Sequence, residues 1–385
     1  MNGYKIVLLK AILCFIGCRK VNGYAPEYVS KVLTTNCLSR VFNSTVATYK
    51  YYWFISILEI YVGTGTSRIK LWDIIISMIA NAWYPVHYFR LSFGKSDSMY
   101  VAVKQLQVLT GIPIDASKKE VMDTLRKELH RKEIRSLLRV FTLNDPFRFL
   151  RPWIDTSDDK QVVERSQTFE NVCLYALKKE QNEWWVEINP AWSDYLKENY
   201  RILMDFAYWN LTLFLQTRNP NVPNIPNKLI KPECRDSLTK QRAFWNTVIQ
   251  TNGQLTCIYT GRELYVGNYD LDHFIPWSFV SHDLLWNLLP ADPSINSSKG
   301  NKLPLLDVYL PKLASAHHEA LRVYITLNKN RTVLEDYLSL GYTPNDLVSM
   351  NDSYFCEVFY QTFSPMVQIA LNMGFESWNY TSNYE

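Results

Sequence analysis

Residues 257–304 read CIYTGRELYVGNYDLDHFIPWSFVSHDLLWNLLPADPSINSSKGNKLP. Asp272 stands directly before His273 at the end of the strand-like run YDLDHFIP; Asn287 follows in WNLLP and Asn296 in the lysine-bearing segment INSSKGNKLP. Histidine has an ordinary pKa near neutrality, so His273 can serve as a general base. A carboxylate and an amide carbonyl are hard oxygen donors, which suit Mg²⁺ better than a soft metal. Around the Gly267–Asn268 step the β-branched and aromatic residues make LYVGNYDLDHFIP read as a hairpin arm. Asp292 followed by Pro293 is a helix start, an acceptor side chain before a residue with preset φ. Asn296 then falls one turn in, and Gly300 ends the helix. The order is strand, strand, short helix, with the positive helix end where an anion would bind. Adjacent strand residues point to opposite faces. Asp272 and His273 can therefore serve one site only where the strand ends, and Pro276 favours an early end.

In order and spacing these residues resemble the HNH (ββα-metal) endonucleases, most closely the variant whose last histidine is asparagine, as in the HNH domain of RNA-guided CRISPR nucleases. The shared pattern is Asp272-His273, then Ile275-Pro276-Trp277-Ser278-Phe279, Asn287, Asn296 and Gly300 to Pro304. The resemblance implies hydrolysis of phosphodiester bonds, with His273 as general base, Asp272 and Asn296 as metal ligands and Asn287 tethering the loop that orients the histidine strand. Mg²⁺ or Mn²⁺ is the implied cofactor. Lys299 and Lys302 flank Asn296 and are the expected phosphate contacts, joined by Lys240 and Arg242 on the helix that leads into the module. Many relatives carry a zinc staple of two cysteine pairs. Here Cys257 occupies one position while Thr260, Asp292 and Ile295 stand at the others, so no structural zinc is expected and packing must hold the module.

The chain has 385 residues, 47% hydrophobic and 20% charged, with a net charge of +4. That composition is ordinary for a folded chain of two or three domains. A mild net charge means that any basic surface is local. Seven cysteines, odd in number and without paired spacing, argue for reduced thiols and a cytoplasmic setting. At the N-terminus, Lys10 splits the apolar run and Arg19-Lys20 follows it, so residues 1–26 read as an amphipathic helix rather than a secretion signal. No apolar run is long enough to cross a bilayer.

Residues 1–150 read as a helical domain, with VSKVLTTNCLSRVF, TYKYYWFISILEIYV and SRIKLWDIIISMIANAW at helical period. Residues 116–141 form a charged helix that is either a phosphate-facing surface or a solvated face with ion pairs such as Glu128 with Lys132. In 151–217, NVCLYALKKEQNEWWVEINPAW reads as a β-hairpin turning at KKEQNE, followed by a long helix capped by Ser193. The Pro/Asn-rich stretch 218–233 is a linker or an ordered strap. The nuclease-like module covers 234–310, and 311–385 are helices that pack on it. His317-His318 are adjacent helix positions, which do not face one another, and they stay outside the site.

The expected fold class is therefore α+β: a mainly helical N-terminal region with a β-hairpin, then a ββα-metal module packed against C-terminal helices. The expected partner is DNA, with RNA still open, together with a possible homodimer or protein partner and no membrane. Family habit places such a chain in bacterial restriction or phage defence. Two alternatives stand: a nucleic-acid-binding or assembly subunit with an inert HNH fold, and a secreted nuclease effector.

Overall fold

A computed structural model describes residues 33–232, 236–327 and 331–380, apart from the side chains of Asn296, Ser297 and Arg331. The amphipathic helix expected over 1–26 lies outside the described residues. The fold is α+β, and the chain divides into two compact units, one of residues 1–86 and 93–218, the other of 87–92 and 219–385.

The first unit is built on α1 (Tyr49–Thr64), whose sequence YKYYWFISILEIYVGT is apolar nearly all round and is buried from Tyr51 to Leu58. A helix without a polar face is a core helix. It stops where Gly65 turns left-handed at φ +69° and returns its N–H to the Tyr61 carbonyl, a cap that glycine makes at no steric cost. The next segment departs from the helical expectation. SRIK is not helical: β1 (Arg68–Lys70) pairs antiparallel with β3 (Glu183–Ile188), which also pairs with β2 (Tyr175–Glu180). Three residues are too short to show strand period. The hairpin turns on Gln181 and Asn182, both at positive φ, so KKE belongs to the strand and the turn is the two-residue type that suits strand twist.

The charged stretch 116–141 is two helices, Lys118–Glu128 and Lys132–Leu138. At the break, Arg131 binds Glu128 at 3.0 Å and Glu133 at 2.8 Å. Arg126 pairs with Asp123 and Asp73, and Arg135 with Glu183. This stretch is an ion-paired face rather than a bare cationic one. The expected long helix after Ser193 likewise breaks at Asn199 into Ser193–Glu198 and α2 (Tyr200–Gln216), and Asn189, not Ser193, provides the side-chain cap at this end.

In the second unit, residues 219–232 form an ordered strap that buries Val222, Ile225 and Leu229. α3 (Thr239–Asn252) follows, then a hairpin of β4 (Leu255–Thr256) and β5 (Glu263–Leu264). β6 (Asp270–His273) pairs antiparallel with β7 (Leu288–Ala291), and α4 (Pro293–Lys299) completes the strand, strand, helix order. The two arms of LYVGNYDLDH do not form one hairpin, because β5 pairs backward with β4 and β6 forward with β7. A Gly-Asn step licenses a turn but does not choose strand partners. α5 (Leu306–Thr326) and α6 (Asp352–Asn372) pack around Leu289, Leu310, Leu321, Tyr337, Phe359 and Phe363. His317 and His318 belong to this core: His317 Nδ1 meets the Tyr337 hydroxyl at 2.7 Å, and the His318 ring stacks on Phe355 at 4.2 Å.

Candidate active site

β6 ends at His273, whose partner across the ladder is Leu288. The chain is then held by one side chain rather than by a ladder. The Asn287 side-chain amide accepts the Ile275 N–H at 2.9 Å and donates to the Ile275 carbonyl at 2.9 Å, while the Asn287 backbone carbonyl takes the Phe274 N–H at 2.8 Å. Asn287 is fully buried. Only an amide offers donor and acceptor side by side in this way. The strand therefore stops where the sequence needed it to stop, at the histidine.

His273 and Asp272 have different surroundings. The His273 ring is 12% exposed, and its Nε2 lies 2.7 Å from Asp283 Oδ1. A carboxylate can only accept, so Nε2 carries a proton, and Nδ1 is the nitrogen left to face other groups. Asp283 is held in turn from α3, where the Gln241 amide donates to its carbonyl at 2.9 Å. The neighbouring Leu285 N–H donates to Asp336 at 2.8 Å, and the Trp286 indole to Ser339. Beside the pair sits His282, whose pKa is pushed down to about 4, chiefly by burial and then by His273.

Asp272 is 4% exposed. The Tyr259 hydroxyl donates to its Oδ2 at 2.8 Å, and burial together with this carboxylate holds the phenol well above its ordinary pKa. Lys299 lies 3.0 Å from each carboxylate oxygen and also donates to the His273 carbonyl at 2.6 Å. With 1% exposure, its ammonium is an internal group in this structure, paired with Asp272. A lysine beside a site-bearing helix reads equally well as pointing outward or inward, because spacing alone does not set burial.

Of the other expected residues, Asn296 lies in α4, and its side chain is outside the described residues. Lys302 and Lys240 are exposed. Arg242 is exposed too, with its guanidinium over the Tyr269 ring and one N–H on the Tyr269 carbonyl. At the positions where relatives carry zinc ligands, the Cys257 sulfur accepts the Asp292 N–H at 3.5 Å, and Arg262 binds Asp292 at 3.0 Å. Asp292 also accepts from the Ser294 N–H and hydroxyl, which, with Arg262, hold its carboxyl below the usual range and start α4. Gly300, at φ +50°, follows the helix.

Among the described residues no three His, Cys, Asp or Glu side chains form a metal cage. Magnesium seldom asks for one; it takes one or two carboxylates and completes its shell with water and phosphate oxygens. Asp272 already holds a cation, the Lys299 ammonium, so positive charge is favoured on this carboxylate. A single buried carboxylate with a cation already on it is a hard oxygen donor of the kind a hard dication takes. Asp283, Tyr259 and Gln241 were not anticipated from sequence. The His282-Asp283 dipeptide was the one available signal, and it has no fixed spacing to His273.

The HNH endonuclease family model matches residues 257–305, which contain β5, β6, β7 and α4. Neither the curated proteins nor the solved structures returned a match to the chain. The matched segment identifies an endonuclease-type module, for which the substrate is nucleic acid. No helix of the described residues is long and apolar enough to cross a membrane.

Proposed function

We propose that the protein is a metal-dependent endonuclease that hydrolyses phosphodiester bonds of DNA. The observation that supports this most is the His273–Asp283 pair at the end of β6, inside the matched segment. Asp283 keeps the proton on Nε2, so His273 Nδ1 draws a proton from the attacking water. Asn287 holds the backbone just beyond the histidine and so fixes the ring's origin. Asp272, with Asn296, would hold Mg²⁺ or Mn²⁺, which when bound would supply charge neutralisation for phosphodiester hydrolysis. Lys302, Lys240 and Arg242 contact flanking phosphates from the surface. One such site cuts one strand, so a double-strand break needs a dimer, a protein partner or two successive nicks. The scattered cysteines support a cytoplasmic setting, and family habit supports a role in bacterial restriction or phage defence.

A second reading is favoured by Lys299. An ammonium that never leaves Asp272 gives a module that binds nucleic acid without cutting it. Purified protein with supercoiled plasmid and Mg²⁺, beside EDTA and His273→Ala controls, separates the two. The proposal expects nicked or linear product that EDTA abolishes and that His273→Ala slows by about 10² to 10⁴. Intact plasmid with unimpaired DNA binding favours the inert module, and a His273→Ala rate equal to wild type removes the histidine from the mechanism.

A further inference from the structure

We infer that Lys299 is a tethered counter-ion that occupies Asp272 until a divalent metal displaces it, so that loading this site exchanges one cation for another. The inference rests on the reading of Asp272 as a metal ligand. Three observations carry it. The ammonium straddles the carboxylate, 3.0 Å from both oxygens, where an ion bound to either oxygen would meet it. Its third contact is the His273 carbonyl at 2.6 Å, so the tether bridges both residues of the Asp272-His273 pair. Both side chains are nearly closed to solvent, at 1% for Lys299 and 5% for Asp272.

Burial makes the pairing consequential. A carboxylate out of water needs a compensating cation, and removing one partner leaves the other charge exposed to a low-dielectric surround. Lys299 meets that need when no metal is present, with Tyr259 satisfying Oδ2 from the other side. A dication at coordinating distance from Asp272 cannot share the carboxylate with the ammonium, because like charges at such separations repel strongly where water is excluded. One of the two must leave. Lys299 can do so without unfolding its helix: it is the last residue of α4, and Gly300, Asn301 and Lys302 after it are all exposed. Its four-carbon stem lets the ammonium move while the backbone stays.

The experiment is Mn²⁺ titration of the full chain, read by the paramagnetic resonance signal of free Mn²⁺, for wild type, Lys299→Met and Asp272→Asn. Methionine matches the lysine stem and removes the charge. We expect Lys299→Met to bind Mn²⁺ at least 10-fold more tightly than wild type, and Asp272→Asn to lose the site. Equal or weaker binding by Lys299→Met, with wild type binding normally, overturns the exchange and leaves the nuclease reading intact. Wild type and Asp272→Asn binding Mn²⁺ alike removes Asp272 as a ligand and takes both readings down. Should Lys299→Met fail to fold, the wild type still decides the matter. Acetylation of Lys299 by an amine-reactive ester, mapped by mass spectrometry, should be slow in chelator and rise several-fold with saturating Mn²⁺. A Lys299 equally protected in both overturns the exchange.

Discussion

At the scale of single residues, the site depends on how one imidazole is held. Asp283 touches His273, so under the proposed mechanism it acts through the orientation and tautomer of that ring. An asparagine there can turn its NH₂ towards Nε2 and favour the other tautomer, which places the proton where the base should be. Asp283→Asn should therefore lower cleavage per folded molecule by about 10- to 10³-fold, less than His273→Ala. A purely structural aspartate would lower the amount of folded protein and leave the rate of the remainder where it was. Equal rates per folded molecule for the variant and wild type would dismiss the role.

At the scale of elements, the loop between β6 and β7 is gripped from several sides. The α3 residue Trp245 donates its indole N–H to the Leu288 carbonyl at 3.1 Å, and Gln241 holds Asp283. From the strap, Asn224 donates to the Val280 carbonyl at 3.0 Å. The strap also buries Lys228 completely, its ammonium on the Pro223 carbonyl and above the Phe89 ring. Burial pushes that amine down to about 7. A lysine whose folded pKa lies below its unfolded value costs stability at every pH below the unfolded one, and the cost is largest near and below the folded pKa. Lys228→Met removes a cost on the order of a few kcal/mol at pH 7 and forfeits one hydrogen bond of about 1 kcal/mol. We expect its melting temperature to exceed that of wild type by several degrees at pH 7 and the gain to shrink steadily as pH rises from about 7 towards 10.5. A variant melting below wild type at pH 7 would show that the amine is better solvated than its burial implies.

At the scale of the whole molecule, the two units carry buried groups that respond to acid in opposite directions. In the second unit, burial lowers His282 to about 4 and His317 to about 3. Folded imidazoles refuse protons that the unfolded chain accepts below about pH 6.5, so this stability is whole above that pH and lost as pH falls towards 4. The slope approaches about 1.4 kcal/mol per pH unit for each histidine. In the first unit, burial raises Asp145 to about 7 and raises Asp97 as well. A carboxyl whose folded pKa lies above its unfolded one takes up a proton more readily when folded, so this unit gains stability as pH falls from about 7 towards 4. Calorimetry should therefore show the second unit's transition moving down in temperature and the first unit's moving up as pH falls from 7 to 4.5. His317→Phe should melt lower at pH 7, because the Tyr337 hydroxyl loses its partner, yet lose less between pH 7 and 4.5. A single transition shifting uniformly with pH would contradict this account.

What could be read in the chain by itself was the resemblance of residues 257–304 to a known module and the order of strand, strand and helix within it. Those features are set by side-chain type and by interactions only a few residues apart. The Asp292-Pro293 helix start, the strand stop at His273 and the core helices 306–326 and 352–372 are of this kind. Tertiary structure alone decided the rest. Strand partners followed from which faces were buried, so β5 and β6 went to different sheets although one turn joins them. The charged stretch broke at Arg131 because ion pairs on both sides were available there. Lys299 went inward because Asp272 was buried opposite it, and Asp283 reached His273 because α3 and Asp336, on the 3₁₀ helix Arg331–Leu340, hold the loop. Burial and charge pairing depend on what packs from distant parts of the chain, and spacing along the chain carries no record of that.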